Sequence, residues 1–298
     1  MSQIVGVVPN FSEGRRRDVT DAIVEALRVP GARVVFAEAD PDHNRLDTTV
    51  LGDADATRRS ALAGAAAAVE RIDMFEHRGG HPRMGAVDVI PFMPVRDVLM
   101  DECVALARAV GRELADTLHV PVYLYGEAAM VSERRSLAEV RKGEFERLRE
   151  AVASGDRLPD LGPHVIGRAG ATAVGARKPL VAFNTYLSRA DEEAAKEIAR
   201  AIRESSGGLP ALRAIGFLAP ERGTATVSMN LIDYEVTGLR AAFDAVAYEA
   251  AARGMEVVDS EIVGLAPESA IPSEDAEHVR LAGFEPDEQI LERLIGTG

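Results

Sequence analysis

The 298-residue chain has one cysteine, Cys103, and no tryptophan. A single thiol excludes an internal disulfide and a cysteine-based zinc cluster, and it suits a reducing cytoplasm. Basic residues are also in deficit. Against 48 Asp and Glu stand 34 Lys and Arg, a formal net charge of −14. Proteins that track nucleic acid carry a basic stripe, so no nucleic-acid partner is expected, and any anionic ligand must be met by arginines gathered locally. No apolar run approaches the ~20 residues that span a bilayer, and the first residues lack the basic and apolar regions of a secretion signal. A soluble, cytoplasmic protein without a membrane partner is expected. What the chain does have is a 47% apolar fraction, enough at this length for one large core or two smaller ones.

Apolar periodicity places strands over residues 4–9, 34–39, 48–51, 86–94 and 122–125, with helices over 18–27, 54–72, 101–118 and 132–153. The charge-dense 132–153 segment reads as a solvated helix face. Residues 154–170 are rich in Gly and Pro, either a linker or a ligand-binding loop. The second half gives strands over 180–186, 212–218, 224–231 and 256–265, helices over 191–204 and 239–253, and a closing helix over 286–295. Pro220-Glu221-Arg222-Gly223 is a hairpin signal between two of those strands. The order β-α-β-β-α-β is that of the ferredoxin-like motif, and the first half carries the same alternation with extra elements. The expected fold is therefore α/β (α+β): two ferredoxin-like βαββαβ-type subdomains, residues 1–177 and 178–298, joined near 173–179 with a ligand cleft between them.

The densest chemistry lies in His77-Arg78-Gly79-Gly80-His81-Pro82-Arg83-Met84-Gly85-Ala86-Val87-Asp88-Val89-Ile90-Pro91-Phe92. Glycines allow close backbone approach, Pro82 restrains the residue before it, and the apolar run that follows gives the loop a rigid base. A histidine so placed suits general acid–base work near neutral pH. The alternative is a surface turn whose histidine caps a neighbouring group. Elsewhere, Gly175-Ala176-Arg177-Lys178 lacks the spacing of a phosphate loop. No His/His or His/Glu pair has helical metal-ligand spacing, so no metal is expected.

This stretch, with Val8-Pro9-Asn10-Phe11-Ser12-Glu13-Gly14, resembles the glutamate formiminotransferase (glutamate formimidoyltransferase) family, whose members also form the amino-terminal part of formiminotransferase–cyclodeaminase. Further matching strings in the same order are Asp42-His43-Asn44-Arg45, Asp101-Glu102-Cys103, Pro121-Val122-Tyr123-Leu124-Tyr125-Gly126-Glu127-Ala128-Ala129, Arg141-Lys142-Gly143-Glu144-Phe145-Glu146, Gly170-Ala171-Thr172 and Ser228-Met229-Asn230-Leu231. The resemblance covers nearly the whole chain. It implies transfer of a formimino group from N-formimino-L-glutamate to tetrahydrofolate, a co-substrate, with ligand bound between two subdomains. No cyclodeaminase activity is expected of these residues.

The resemblance makes His81 the acid–base histidine, ahead of His77, and places folate along Gly162, Pro163, His164, Val165, Ile166, Gly167, Arg168, Ala169 and Gly170. Both co-substrates carry carboxylates, for which arginine's planar fork is suited. Arg45 and Arg83 are each open to two roles, ligand contact or structural ion pair. Asn10 and Ser12 can bond ligand or local backbone. Asp42 and His43 read first as a turn. Two departures from the family pattern stand out: Gly80 replaces a glutamate that commonly precedes the histidine, and the 162–170 loop is slightly shorter. They keep a formyltransferase using N-formylglutamate, or a non-catalytic folate-binding paralogue, as alternatives. A homodimer is the default assembly for a soluble enzyme.

Overall fold

All four residues of β1 (Ile4–Val7) are buried, and after Val8-Pro9 the strand resumes as β2 (Asn10–Phe11). The two pieces act as one interrupted strand between β4 (Arg45–Gly52) and β5 (Val87–Arg96), antiparallel to both. The strand thus extends beyond the 4–9 stretch expected from periodicity, because Asn10 pairs across to Asp47 and Phe11 to Leu46. These elements belong to a computed structural model that describes residues 3–219 and 222–294. The chain divides into two compact units, residues 1–177 and 178–298.

In the first unit, β3 (Ala32–Asp40) pairs with β4, and helices α1 (Arg17–Leu27) and α2 (Ala54–Arg71) complete a β-α-β-β-α-β run ending in β5. Helix α2 begins where Asp53 accepts a hydrogen bond from Ala56 N at 2.8 Å, a cap typically worth about 1 kcal/mol. Its Ala61, Ala65 and Ala68 are fully buried, and a Cβ at Gly64 would stand 2.5 Å from Leu27 Cδ2, so small residues here permit close helix packing.

Beyond β5 the sheet continues through β7 (Thr172–Ala176) to β6 (Val122–Gly126), all three parallel, with α3 (Met100–Leu118) packed on them. Thr172–Ala176 overlaps the 173–179 stretch expected to join the subdomains, yet it is fully buried in the sheet. The expected 132–153 helix is instead a 3-10 turn, α4 (Leu137–Arg141) and α5 (Glu144–Ser154). It breaks at Gly143, whose φ is +86°, because a left-handed residue cannot continue a right-handed helix.

The second unit runs β8 (Val181–Leu187), α6 (Glu192–Ile202), β9 (Leu212–Ala219), β10 (Thr224–Leu231), α7 (Leu239–Ala252) and β11 (Val257–Val263). Its sheet order, β11-β8-β10-β9, is antiparallel throughout. Numbering the strands of each β-α-β-β-α-β run from one to four, both units arrange them as second, third, first, fourth. Pro220 and Glu221, part of the expected hairpin turn, lie outside the described residues. Short helices α8 (Ser273–His278) and α9 (Pro286–Gln289) follow β11. The expected closing helix stops early because Ile290 bridges to Ala266; Ile295 lies outside the described residues. No helix among the described residues is long and apolar enough to cross a membrane.

Candidate active site

The His77–Asp88 loop leaves α2 and is stitched to two neighbouring segments before it enters β5. On one side, His77 Nε2 donates to Asn44 O at 3.1 Å and Asn44 Nδ2 donates to Arg78 O at 2.9 Å. Asn44 itself sits at φ +52° and accepts from Gly14 N at 2.9 Å. A Cβ at Gly79 would lie 2.3 Å from His43 O, so only glycine lets loop and turn approach this closely. On the other side, Ala86 N donates to Ala169 O at 2.8 Å, Ala171 N to Met84 O at 2.9 Å, and Met74 N to Arg168 O at 2.8 Å. Ser12 Oγ donates to Gly85 O at 2.7 Å, a backbone bond but to a residue 73 positions away rather than a local one.

The two histidines of the loop differ. His77 is buried, its Nε2 donates to Asn44 O, and its Nδ1 accepts from Arg83 Nε at 3.3 Å. Burial pushes its pKa below the ordinary imidazole value, outweighing the Asn44 carbonyl, so it stays neutral. His81 is half-buried, and its Nδ1 donates to Pro82 O at 2.7 Å. A carbonyl can only accept, so the ring is the Nδ1–H tautomer and Nε2 carries the lone pair. Burial, then the charges of Arg45 and Arg141, lower the pKa of His81 against the opposing pull of Asp88.

Asp88 is wholly buried at the start of β5 and organises the charges around His81. Arg45 Nη1 donates to its Oδ2 at 2.9 Å, Arg141 Nη2 donates to the same oxygen, and Met84 N donates to Oδ1 at 3.0 Å. Burial pushes the Asp88 carboxyl up, but Arg141 and Arg45 prevail and hold it below the usual carboxylate value. Arg45 Nε and Asn10 Nδ2 also converge on Asp47 Oδ1, at 2.8 and 2.5 Å. Two buried atoms of this cluster, the donor Arg141 Nε and the acceptor Asn10 Oδ1, have no hydrogen-bond partner among the described residues.

The sequence-derived residues fall into three groups. His81, Arg45 and Asn10 lie in or beside the Asp88 cluster. Arg83, of its two possible roles, takes the ion pair: Nη1 donates to Glu144 at 2.7 Å and to Glu146 at 3.0 Å, and Nη2 donates to Glu146 at 2.7 Å. The third group is the 162–170 segment, anchored by buried Ile166 and Gly170, with Gly162, His164, Val165, Gly167 and Arg168 exposed and Pro163 and Ala169 partly so. Open space surrounds Gly167, and Arg168 reaches toward Asp73 at 3.8 Å.

Sequence reasoning passes over Asp88, Arg141, Asp47 and Asn44 as site residues. The signal for Asp88 is an acid inside an apolar strand, which requires a partner. Arg141 corrects the reading of 132–153 as a solvated face, since its guanidinium is turned in to Asp88 with only 15% of the side chain exposed. Cys103 is buried, and burial pushes its thiol up to about 12, which removes it as a nucleophile. A concavity of about 480 Å³ lined in part by Arg15, Arg16, Asn44 and Arg78 backs onto His77. A larger one of about 530 Å³, around Tyr123, Arg134 and Arg157, includes none of the His81 cluster.

Residues 4–177 match the family model "Formiminotransferase domain, N-terminal subdomain", and residues 182–280 match "Formiminotransferase domain". A glutamate formimidoyltransferase of Thermoplasma acidophilum is 43% identical over 98% of this chain and 97% of its own length. One from Streptococcus pyogenes serotype M1 is 40% identical over 99% of this chain and 100% of its own. The formimidoyltransferase-cyclodeaminase of Rattus norvegicus is 41% identical over 99% of this chain but 60% of its own length. With both subdomain models matched and full-length relatives at this identity, the chain belongs to the formiminotransferase family.

Proposed function

We propose that the chain is a glutamate formimidoyltransferase, moving the formimino group of N-formimino-L-glutamate to N5 of tetrahydrofolate to give 5-formiminotetrahydrofolate and L-glutamate. The carrying observation is His81: one ring nitrogen is fixed by Pro82 O, and the other has no hydrogen-bond partner among the described residues. Relatives named for this activity over their full length support the same reading. The folate nitrogen attacks the formimino carbon, and Nε2 of His81 takes its proton as the tetrahedral intermediate forms. Collapse then expels the glutamate nitrogen, which must gain a proton. The depressed pKa of His81 keeps the base form available at neutral pH.

Arg45, Arg141 and Asn10 are assigned to substrate carboxylate and formimino groups, since Arg141 Nε and Asn10 Oδ1 offer one unused donor and one unused acceptor. Arg83 is assigned to holding the loop, through its glutamates and His77. Folate is assigned to residues 162–170, whose backbone bonds directly to the catalytic loop. No step here is routed through a metal. Cytoplasmic location, resting on the lone reduced-type thiol, and a homodimer, resting on the prevalence of that assembly, complete the proposal; light scattering of the purified chain tests the latter.

One observation favours a second donor. At Gly80 a Cβ would meet nothing closer than His43 Cδ2 at 3.9 Å, so the carboxylate commonly found there is missing without any filling of its space. The test is transfer to tetrahydrofolate with N-formimino-L-glutamate and N-formyl-L-glutamate supplied separately. Formimino transfer is expected. Preference for the formyl donor establishes the formyltransferase, and folate binding without transfer from either establishes a binding paralogue.

A further inference from the structure

The turn facing the catalytic loop carries a second histidine held by its own carboxylate. Asp40 closes β3, and its Oδ1 accepts from the backbone N–H groups of Asp42 at 2.8 Å and His43 at 3.0 Å. Its Oδ2 engages His43 Nδ1. The His43 backbone N–H, followed by the His43 ring, holds the Asp40 carboxyl below its usual value, so the pair contains a carboxylate. A carboxylate only accepts, so Nδ1 of His43 carries hydrogen and Nε2 is left as the exchanging nitrogen. The His43 and His81 rings stand edge to face, with centroids 6.4 Å apart and planes at 81°. No side chain intervenes at position 80, and the turn is fixed to the loop through Gly79, Asn44 and His77.

The reaction of the preceding subsection handles two protons at two nitrogens bonded to one carbon. Ring centroids 6.4 Å apart put both imidazoles beside one site, near enough for each to serve one of the two nitrogens. We infer that His43, oriented by Asp40, is the group that protonates the departing glutamate nitrogen, while His81 receives the proton of the attacking folate nitrogen. This rests on the proposed formimidoyl transfer.

The bond and proton changes balance. As the C–N bond to folate forms, the folate N–H proton passes to His81 Nε2. As the C–N bond to glutamate breaks, its electron pair takes the proton of His43 Nε2. His81 ends protonated and His43 neutral, and solvent reverses both: the side chain of His43 is 56% exposed, and His81 is half-buried. Asp40 of its own turn is the charged group bonded to His43; Asp42 lies on the same turn, Arg15 Nε donates to Pro41 O of that turn at 2.7 Å, and His81 stands across the gap. Those facing His81 are Arg45, Arg141 and Asp88.

The experiment is steady-state transfer from N-formimino-L-glutamate by the full chain across pH 5–9, for wild type, His43→Gln and Asp40→Asn. Wild type is expected to give a bell. His43→Gln is expected to lower kcat by about 10²-fold or more, as loss of a general acid does, with KM changed less than about threefold and the alkaline limb gone. Asp40→Asn keeps the imidazole and is expected to retain the alkaline limb at reduced kcat. Circular dichroism confirms that each variant is folded, and a misfolded His43→Gln is replaced by His43→Asn. A folded His43 variant with wild-type kcat, or with the alkaline limb intact, overturns the inference while leaving the formimidoyltransferase standing. If wild type forms no 5-formimino product, the functional reading fails and the inference falls with it.

Discussion

His77 and His81 lie four positions apart on one loop and use their rings in opposite ways. His77 uses both nitrogens within the fold, donating to Asn44 O at 3.1 Å and accepting from Arg83 at 3.3 Å. His81 uses one, on Pro82 O at 2.7 Å. The difference predicts distinct phenotypes. His77→Ala leaves the buried Asn44 carbonyl and the Nε–H of Arg83 without their His77 partner, which destabilises by about 1–3 kcal/mol. His81→Ala leaves stability nearly unchanged. Urea denaturation of the two variants checks the contrast, and equal loss of stability contradicts it.

A second prediction concerns Asp88, whose carboxylate holds Arg45 and Arg141 in a fully buried setting. Asp88→Asn leaves two inward-turned cations underpaired and is expected to destabilise by about 3–5 kcal/mol. The folded carboxyl titrates below the ordinary value of about 3.9. Its stabilisation is therefore complete above that pH and fades as pH falls through the folded value. Wild type should lose stability in this acid window and Asp88→Asn should lose less; parallel curves would contradict the assignment.

The strand carrying Asp88 and the loop before it were legible from residue types: glycines, a His-Pro pair and an apolar run. The ion pairs were not, because Asp88 meets Arg45 and Arg141 across 43 and 53 residues, a separation that no local pattern encodes. Thr172–Ala176 escaped for another reason. Alanine and glycine give little strand signal, and its conformation is fixed by the parallel neighbours β5 and β6 on either side. The Asp40–His43 pair looks like an ordinary charged turn until β3 and β4 bring it over Gly79.

The charges around His81 predict the pH dependence of the reaction. Because burial, Arg45 and Arg141 lower its pKa, the acidic limb of kcat/KM is expected to have its midpoint below about 6.5. Arg141→Gln removes one of those positive charges and should move that midpoint upward. A midpoint above 6.5 in wild type, or no movement in the variant, contradicts the electrostatic account.

The adjacent glycines of the loop should respond unequally. A methyl at Gly79 would collide with His43 O at 2.3 Å, whereas one at Gly80 meets its nearest atom at 3.9 Å. Gly79→Ala is expected to destabilise by about 1–3 kcal/mol, in the range of overpacking. Gly80→Glu is expected to stay within about 0.5 kcal/mol of wild type. Thermal melts decide this, and equal shifts would mean that the turn and loop are not held together as described.

The most direct test of the central claim is single-turnover transfer from N-formimino-L-glutamate to tetrahydrofolate by wild type and His81→Ala, followed by mass detection of 5-formiminotetrahydrofolate. The account predicts product from wild type and a rate at least about 10²-fold lower from the folded variant. Product formation at an unchanged rate by His81→Ala would contradict it.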